Sequence, residues 1–404
     1  MLIEKIKQLA FPAFLGSLAA LSFSNSFFEI FSGAYLGLTL IVVLAQKRGD
    51  IFKSRVAFFA LLYLFVVLVS CAGSGYWGNS LKGIFRALRS VLICFFALVV
   101  VDSEKKFKTA YYVMAGTALA IGMDALVQGG LGFDLIRGKS MTPYTQQVGR
   151  VTGPFGHAND FSAYLTVVLF LFLGMIPFFF KEEKITKKLF VLSGTVVLGL
   201  SFLWTYARGA WMAVAAVFVS MAIVKRNIFL TVCLALAALA LFFLSPNAVR
   251  RMSSLWEDPH GGTMTERRLL WEESFRMIQE RPWLGFGINT YSKVEPQFKS
   301  KDHPTDNQYA HNGYLQIAAE TGLLGLGSFL LFLFSFFGAA VRSFSGQRAN
   351  FISEAGVSLC FGIAAFLLHS IIETNLQSLR LVSLLWLSMG LVLCARKLQE
   401  RAPL

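Results

Sequence analysis

Charge is scarce in this 404-residue chain: Asp, Glu, Lys and Arg make up 15% of it, against roughly 25% in a soluble domain. With 55% hydrophobic residues and 40 Phe, that scarcity excludes a water-soluble globule. Cysteine is scarce too. Cys71, Cys94, Cys233, Cys360 and Cys394 all lie inside apolar runs without metal-type spacing, which argues against a disulfide framework or a zinc site. Residue-by-residue alternation is missing, and with it the signature of a β-barrel. No internal repeat supports an inverted-repeat transporter.

What is present is a succession of apolar runs, each about 20 residues and long enough to cross ~30 Å of hydrocarbon. The fold class is therefore an all-α polytopic membrane protein. About twelve spans are expected, near 10–24, 27–45, 56–71, 86–101, 109–128, 158–180, 188–206, 209–224, 227–245, 311–341, 354–372 and 379–395. Lys5 and Lys7 precede the first run, and no clear small-residue cleavage site follows it, so it is read as a retained span. The links after even-numbered spans are rich in Lys, which places both termini in the cytoplasm. The chain divides into nine spans over 1–245, a loop domain over 246–310 and three spans over 311–404.

The links expected on the outer side hold twelve Arg against five Lys, whereas the inner ones hold thirteen Lys against seven Arg. Orientation needs only charge, so an Arg excess outside suggests recognition of phosphate oxygens by a fixed guanidinium fork. Salt bridges to the acids of the same loops are the plainer alternative. The +14 net charge falls in these links, and no nucleic-acid partner is expected.

The long run from His311 to Val341 exceeds the hydrocarbon thickness at 1.5 Å per residue, so its first turns are expected in a wet cavity at the outer side. Asn312, Gln316 and Glu320 form a polar stripe there at i, i+4 and i+8. His311 stands at the helix entry, where a neutral imidazole can take a proton from a hydroxyl or simply hydrogen-bond a loop. Within the large loop, Thr265 to Glu280 reads as a helix with two faces. Arg268, Glu272, Arg276 and Glu280 alternate in sign as an exposed ion-pair ladder. Arg267 shares a row with Trp271, Phe275 and Ile278, the face expected to pack down, and needs an anionic partner there. Arg208 lies in a short outer turn, suited to a phosphate or to snorkelling beside Trp211. Arg150 and His157 flank the glycine-rich link before the sixth span, where Asn159 or Asp160 suits an N-cap. Asp302, His303, Asp306 and His311 are close in sequence, but match no metal motif and sit beside Lys299 and Lys301. Asp124, His369 and Glu373 are the ionisable residues that a flippase or solute transporter could use at mid-membrane.

Together, Gly-Pro-Phe-Gly-His157-Ala-Asn, Ala-Arg208-Gly-Ala-Trp, Arg267-Arg-Leu-Leu-Trp271, Pro-Trp-Leu-Gly-Phe-Gly and His311-Asn-Gly-Tyr-Leu-Gln-Ile-Ala-Ala-Glu-Thr-Gly resemble the O-antigen ligase and polymerase superfamily, over about Arg150 to Leu330. The resemblance implies a GT-C-type glycosyltransferase with a large periplasmic loop containing short helices, in the inner membrane of a Gram-negative bacterium and active at its periplasmic face. The implied donor is a glycan on undecaprenyl pyrophosphate, and the implied ligase acceptor is a sugar hydroxyl of lipid A–core. It implies His311 as general base and Arg208 and Arg267 as holders of the pyrophosphate. Arg268, Asn312, Gln316, Glu320, His157 and Arg150 are further candidate substrate contacts. No cofactor and no metal is expected, since the outer loops lack an Asp-x-Asp pair. Polymerases and protein O-oligosaccharyltransferases share the donor and this residue set, so the acceptor stays open.

Overall fold

The structure, a computed structural model, describes the 404 residues except 141–148, 182–183, 226–238, 240–242, 244–248, 250–262, 300–308, 346–348 and 402–404. It is a polytopic helical membrane protein. The helices are α1 (Leu2–Phe23), α2 (Asn25–Ala45), α3 (Arg55–Ser70), α4 (Trp77–Val100), α5 (Glu104–Leu131), α6 (Ala158–Leu173), α7 (Ile176–Phe179), α8 (Ile185–Trp204), α9 (Arg208–Lys225), α10 (Thr263–Glu280), α11 (Tyr291–Val294), α12 (Gly313–Phe344), α13 (Phe351–His369) and α14 (Leu379–Arg401). A small antiparallel hairpin, β1 (Phe133–Asp134) and β2 (Lys139–Ser140), follows α5.

Among the described residues ten helices are long and apolar enough to cross a membrane, and the apolar Arg208–Val224 is shorter. Eleven of the expected spans thus coincide with helices; the one at 227–245 lies almost wholly outside the described residues. The helices overrun the apolar runs. α4 begins at Trp77, ahead of the expected start at 86, and carries Arg86 and Arg89, because backbone hydrogen bonding continues through residues that hydropathy treats as breaks. α6 and α14 are the most enclosed spans, with 89% and 83% of their apolar windows buried, whereas α8 has 28%. α13 packs against both α6 and α14, while α3 lies along α12 and α4 along α14.

α12 is broken at Gly322, which adopts φ 70° and ψ −178°. The break is filled by the Pro-Trp-Leu-Gly-Phe-Gly loop. Leu323 N donates to Pro282 O at 2.7 Å, and Gly287 N donates to Glu320 O at 2.7 Å, so backbone groups freed by the break are satisfied by the inserted loop. A Cβ on Gly322 would lie 2.1 Å from Trp283 O. That loop is a splice that ties the segment after α10 into a spanning helix.

Candidate active site

Glu373, in the turn between α13 and α14, is the hub of a cluster at one end of the bundle. Arg267 Nη2 donates to its Oε1 in a close ion pair. Asn159 Nδ2 donates to the same oxygen at 2.7 Å, and Oε2 lies 3.1 Å from His311 Nδ1. The carboxylate side chain is 8% exposed, so its charge is stabilised by these partners rather than by water. Burial alone pushes the carboxyl up, but the His311 hydrogen bond and the Arg267 charge outweigh it and hold the group below its ordinary value.

The local sequence explains how His311 reaches this point. His311 itself adopts φ 46°, a left-handed conformation that costs a non-glycine residue energy and recurs at functional sites. Asn312 caps α12, its Oδ1 accepting from Tyr314 N and Leu315 N at 3.0 Å each. Gly313 N then donates to Ser370 O at 2.8 Å and to Glu373 O at 3.1 Å. The first turn of α12 is therefore pinned to the turn that carries Glu373.

Arg267 and Arg268 diverge as the face reading requires. Arg267 has 17% of its side chain exposed and meets Glu373; Arg268 has 74% exposed and faces Glu272 at 3.4 Å, one turn on. The buried side of α10 is nevertheless Leu270, Glu273, Ser274 and Met277, and Phe275, expected on it, is exposed. Eight residues at 3.6 per turn bring Phe275 about 80° round the helix from Arg267, which turns it out of the contact.

Arg208 opens α9 beside the same hub. A Cβ on the next residue, Gly209, would lie 1.9 Å from Ile372 Cδ1 and 3.6 Å from His369 Cδ2, so the α9 start abuts the turn holding Glu373. Arg150 Nε donates to Thr205 O and its Nη2 to Asn159 Oδ1, both at 2.7 Å, linking the α8–α9 turn to α6. Asn159 is thus a bridge rather than a cap, and His157 takes the N-cap position of α6.

The polar stripe on α12 faces protein rather than a wet cavity. Gln316 and Glu320 are each 2% exposed. Gln316 Nε2 donates to Glu320 Oε1 at 3.2 Å, and the Glu320 carboxylate also accepts from Asn289 N at 2.8 Å and Tyr291 N at 3.2 Å. These three residues, Asn312 included, hold the inserted loop and the helix start in place. Some arginines expected in the outer links are likewise engaged within the protein: Arg89 pairs with Glu29 at 2.6 Å, and Arg380 donates to Pro154 O at 3.0 Å while covering the Phe155 ring. Asp302, His303 and Asp306 lie outside the described residues.

Of the three residues considered for a transporter, Asp124 accepts from Leu135 N at 2.8 Å and fastens the hairpin to α5, His369 lies against Asn375, and Glu373 is the hub above. Sequence reading missed the roles of Glu373 and Asn159. The signal was present in part: Arg267 required an anion, and the acids flanking outer links were the candidates.

A buried carboxylate gripping an imidazole and a guanidinium, at the end of a helical bundle, defines a membrane protein with a polar centre equipped for proton transfer and anion stabilisation. Residues 193–330 match the family model described as O-Antigen ligase, Wzy_C, a family that covers ligases and polymerases. That segment contains Arg208, Arg267 and His311, and over it the motif resemblance is borne out; the Gly-Pro-Phe-Gly-His157 motif lies upstream of it. No curated protein matches the chain.

Proposed function

We propose that this protein is an O-antigen ligase of the bacterial inner membrane, transferring a glycan from undecaprenyl pyrophosphate to a sugar hydroxyl of lipid A–core at the periplasmic face. The observation that carries the reading is the single carboxylate, Glu373, shared by His311 and Arg267. With its Nδ1 proton donated to Glu373, His311 keeps a lone pair on Nε2 for the acceptor hydroxyl, and the carboxylate stabilises the imidazolium that forms. The hydroxyl oxygen attacks the anomeric carbon, its proton passes to Nε2, and the bond to the pyrophosphate oxygen breaks with inversion. Arg267 and Arg208 stabilise the departing diphosphate. Two fixed cations are suited to this because charge developing in the transition state is met by groups already in place.

The acceptor is decided by one experiment. Membranes containing the protein and lipid-linked glycan are given lipid A–core, a second lipid-linked glycan or a pilin-like protein, and the consumed acceptor is identified. Consumption of lipid A–core supports the ligase reading; elongation of the lipid-linked glycan makes the protein a polymerase, and glycosylated protein makes it an O-oligosaccharyltransferase. Release of undecaprenyl pyrophosphate that persists at the normal rate in His311→Ala would remove His311 from the mechanism.

A further inference from the structure

Asn159, which touches the hub on one side, also lines a cavity of about 230 Å³ between the β1–β2 hairpin and the start of α6. Sites that enclose drug-sized ligands run to about 300–1,000 Å³, so this one suits a single sugar ring or anionic group. Its ionisable lining is Arg137, Lys139, Arg150 and His157 against one acid, Asp134. Asp134 is already committed: its Oδ2 takes Arg137 Nε at 2.6 Å and its Oδ1 takes Arg137 N at 2.8 Å. Arg137 Nη2 donates to Thr152 Oγ1 at 2.9 Å and to Gly153 O. The guanidinium is thereby clamped through Nε and Nη2, with Nη1 toward Gly156.

Gly156 adopts φ +81°, and a Cβ there would stand 4.0 Å from Arg137 Nη1. A side chain at this position would occupy the space in front of that nitrogen. Beside the Arg137–Asp134 pair, Lys139 on β2 adds a further cation, and Arg150 is engaged with Thr205 and Asn159 at the wall. A phosphate ester carries about −1.5 to −2 at neutral pH and presents three acceptor oxygens, which suits a lining of several N–H donors. The clamp fixes the guanidinium plane, and Nη1 brings two further N–H donors to that space.

We infer that this cavity binds the phosphate of a phosphorylated sugar on the acceptor, with Arg137 Nη1, Lys139 and His157 as donors, and Asn159 as the wall between it and Glu373. Assignment to the acceptor rests on the transferase reading above; the anion site itself does not. The test is calorimetric titration of the full-length protein in phosphatidylcholine nanodiscs with glucose 6-phosphate, glucose and inorganic phosphate. Glucose 6-phosphate should bind at least about tenfold tighter than either of the others, and Arg137→Gln and Lys139→Gln should each weaken it by about tenfold, the effect of one charge-assisted hydrogen bond. Lys139 is exposed on β2, so its variant reads the site even if Arg137→Gln disturbs the hairpin. Equal affinity for glucose, equal affinity for inorganic phosphate, or unchanged binding in Lys139→Gln would overturn the inference. So would loss of the binding in discs containing phosphatidylglycerol, which would give the site to a lipid phosphate. No donor is present in the titration, so intact sugar-phosphate binding in a protein that transfers no glycan would sink the transferase reading and leave this site standing.

Discussion

Glu373 Oε2 stands 3.1 Å from His311 Nδ1 across 62 residues of sequence, and the other oxygen of the same carboxylate holds Arg267. One buried charge therefore orients the proposed base and one of the proposed diphosphate ligands together. Glu373→Gln keeps the shape and removes the charge. Its expected effect is a loss of about 10²-fold or more in glycan transfer rate, within the range of a general base, with Glu373→Asp intermediate. Initial rates at saturating donor measure it, and a Glu373→Gln rate within twofold of wild type would detach the hub from the chemistry.

Arg267→Ala should be far more damaging than Arg268→Ala. The first removes the guanidinium partner of a carboxylate that is 8% exposed, and an uncompensated buried charge is costly. The second removes an exposed pair at 3.4 Å, of the kind worth about 0–1 kcal/mol. Transfer assays on the two variants at equal protein level compare them; equal losses would contradict the divergence of the two side chains.

The pH dependence follows from the direction of the Glu373 shift. Its carboxyl is held below the ordinary value of 4.5, so the folded state binds this proton less readily than the unfolded chain does. The stability it contributes is fully present above about 4.5 and is lost as pH falls through the lower folded value. The difference in thermal midpoint between wild type and Glu373→Gln should therefore not shrink from neutral pH down to about 5, and should shrink only at lower pH. A difference that already shrinks between pH 7 and 5 would mean the group is not held down.

Gly322→Ala should destabilise the loop splice by about 3 kcal/mol, combining left-handed strain with overpacking. The added Cβ would meet backbone, Trp283 O at 2.1 Å, which cannot swing away as a side chain could. Thermal unfolding in detergent checks this, and a midpoint equal to wild type would show that the loop can be displaced at no cost.

Transfer should proceed unchanged in chelator. In the proposed step Arg208 and Arg267 supply the fixed positive charge for the departing diphosphate, so no divalent cation is called for. Loss of transfer in chelator, restored by magnesium, would assign that charge to a metal.

Local sequence was sufficient for the features that depend on period and length. Apolar runs of spanning length marked eleven helices, because hydrocarbon demands that backbone groups be satisfied within each segment. The four-residue repeat on α10 separated Arg268 from Arg267, since helix geometry fixes which side chains share a face. Tertiary structure alone decided what each face meets. Spacing put Asn312, Gln316 and Glu320 on one stripe, but whether Glu320 meets water or the backbone of Asn289 and Tyr291 depends on a segment 31 and 29 residues away in the chain. Glu373 became the hub for the same reason: its partners Asn159, Arg267 and His311 lie 214, 106 and 62 residues distant, and only packing of α6, α10, α12 and α13 brings them to one carboxylate.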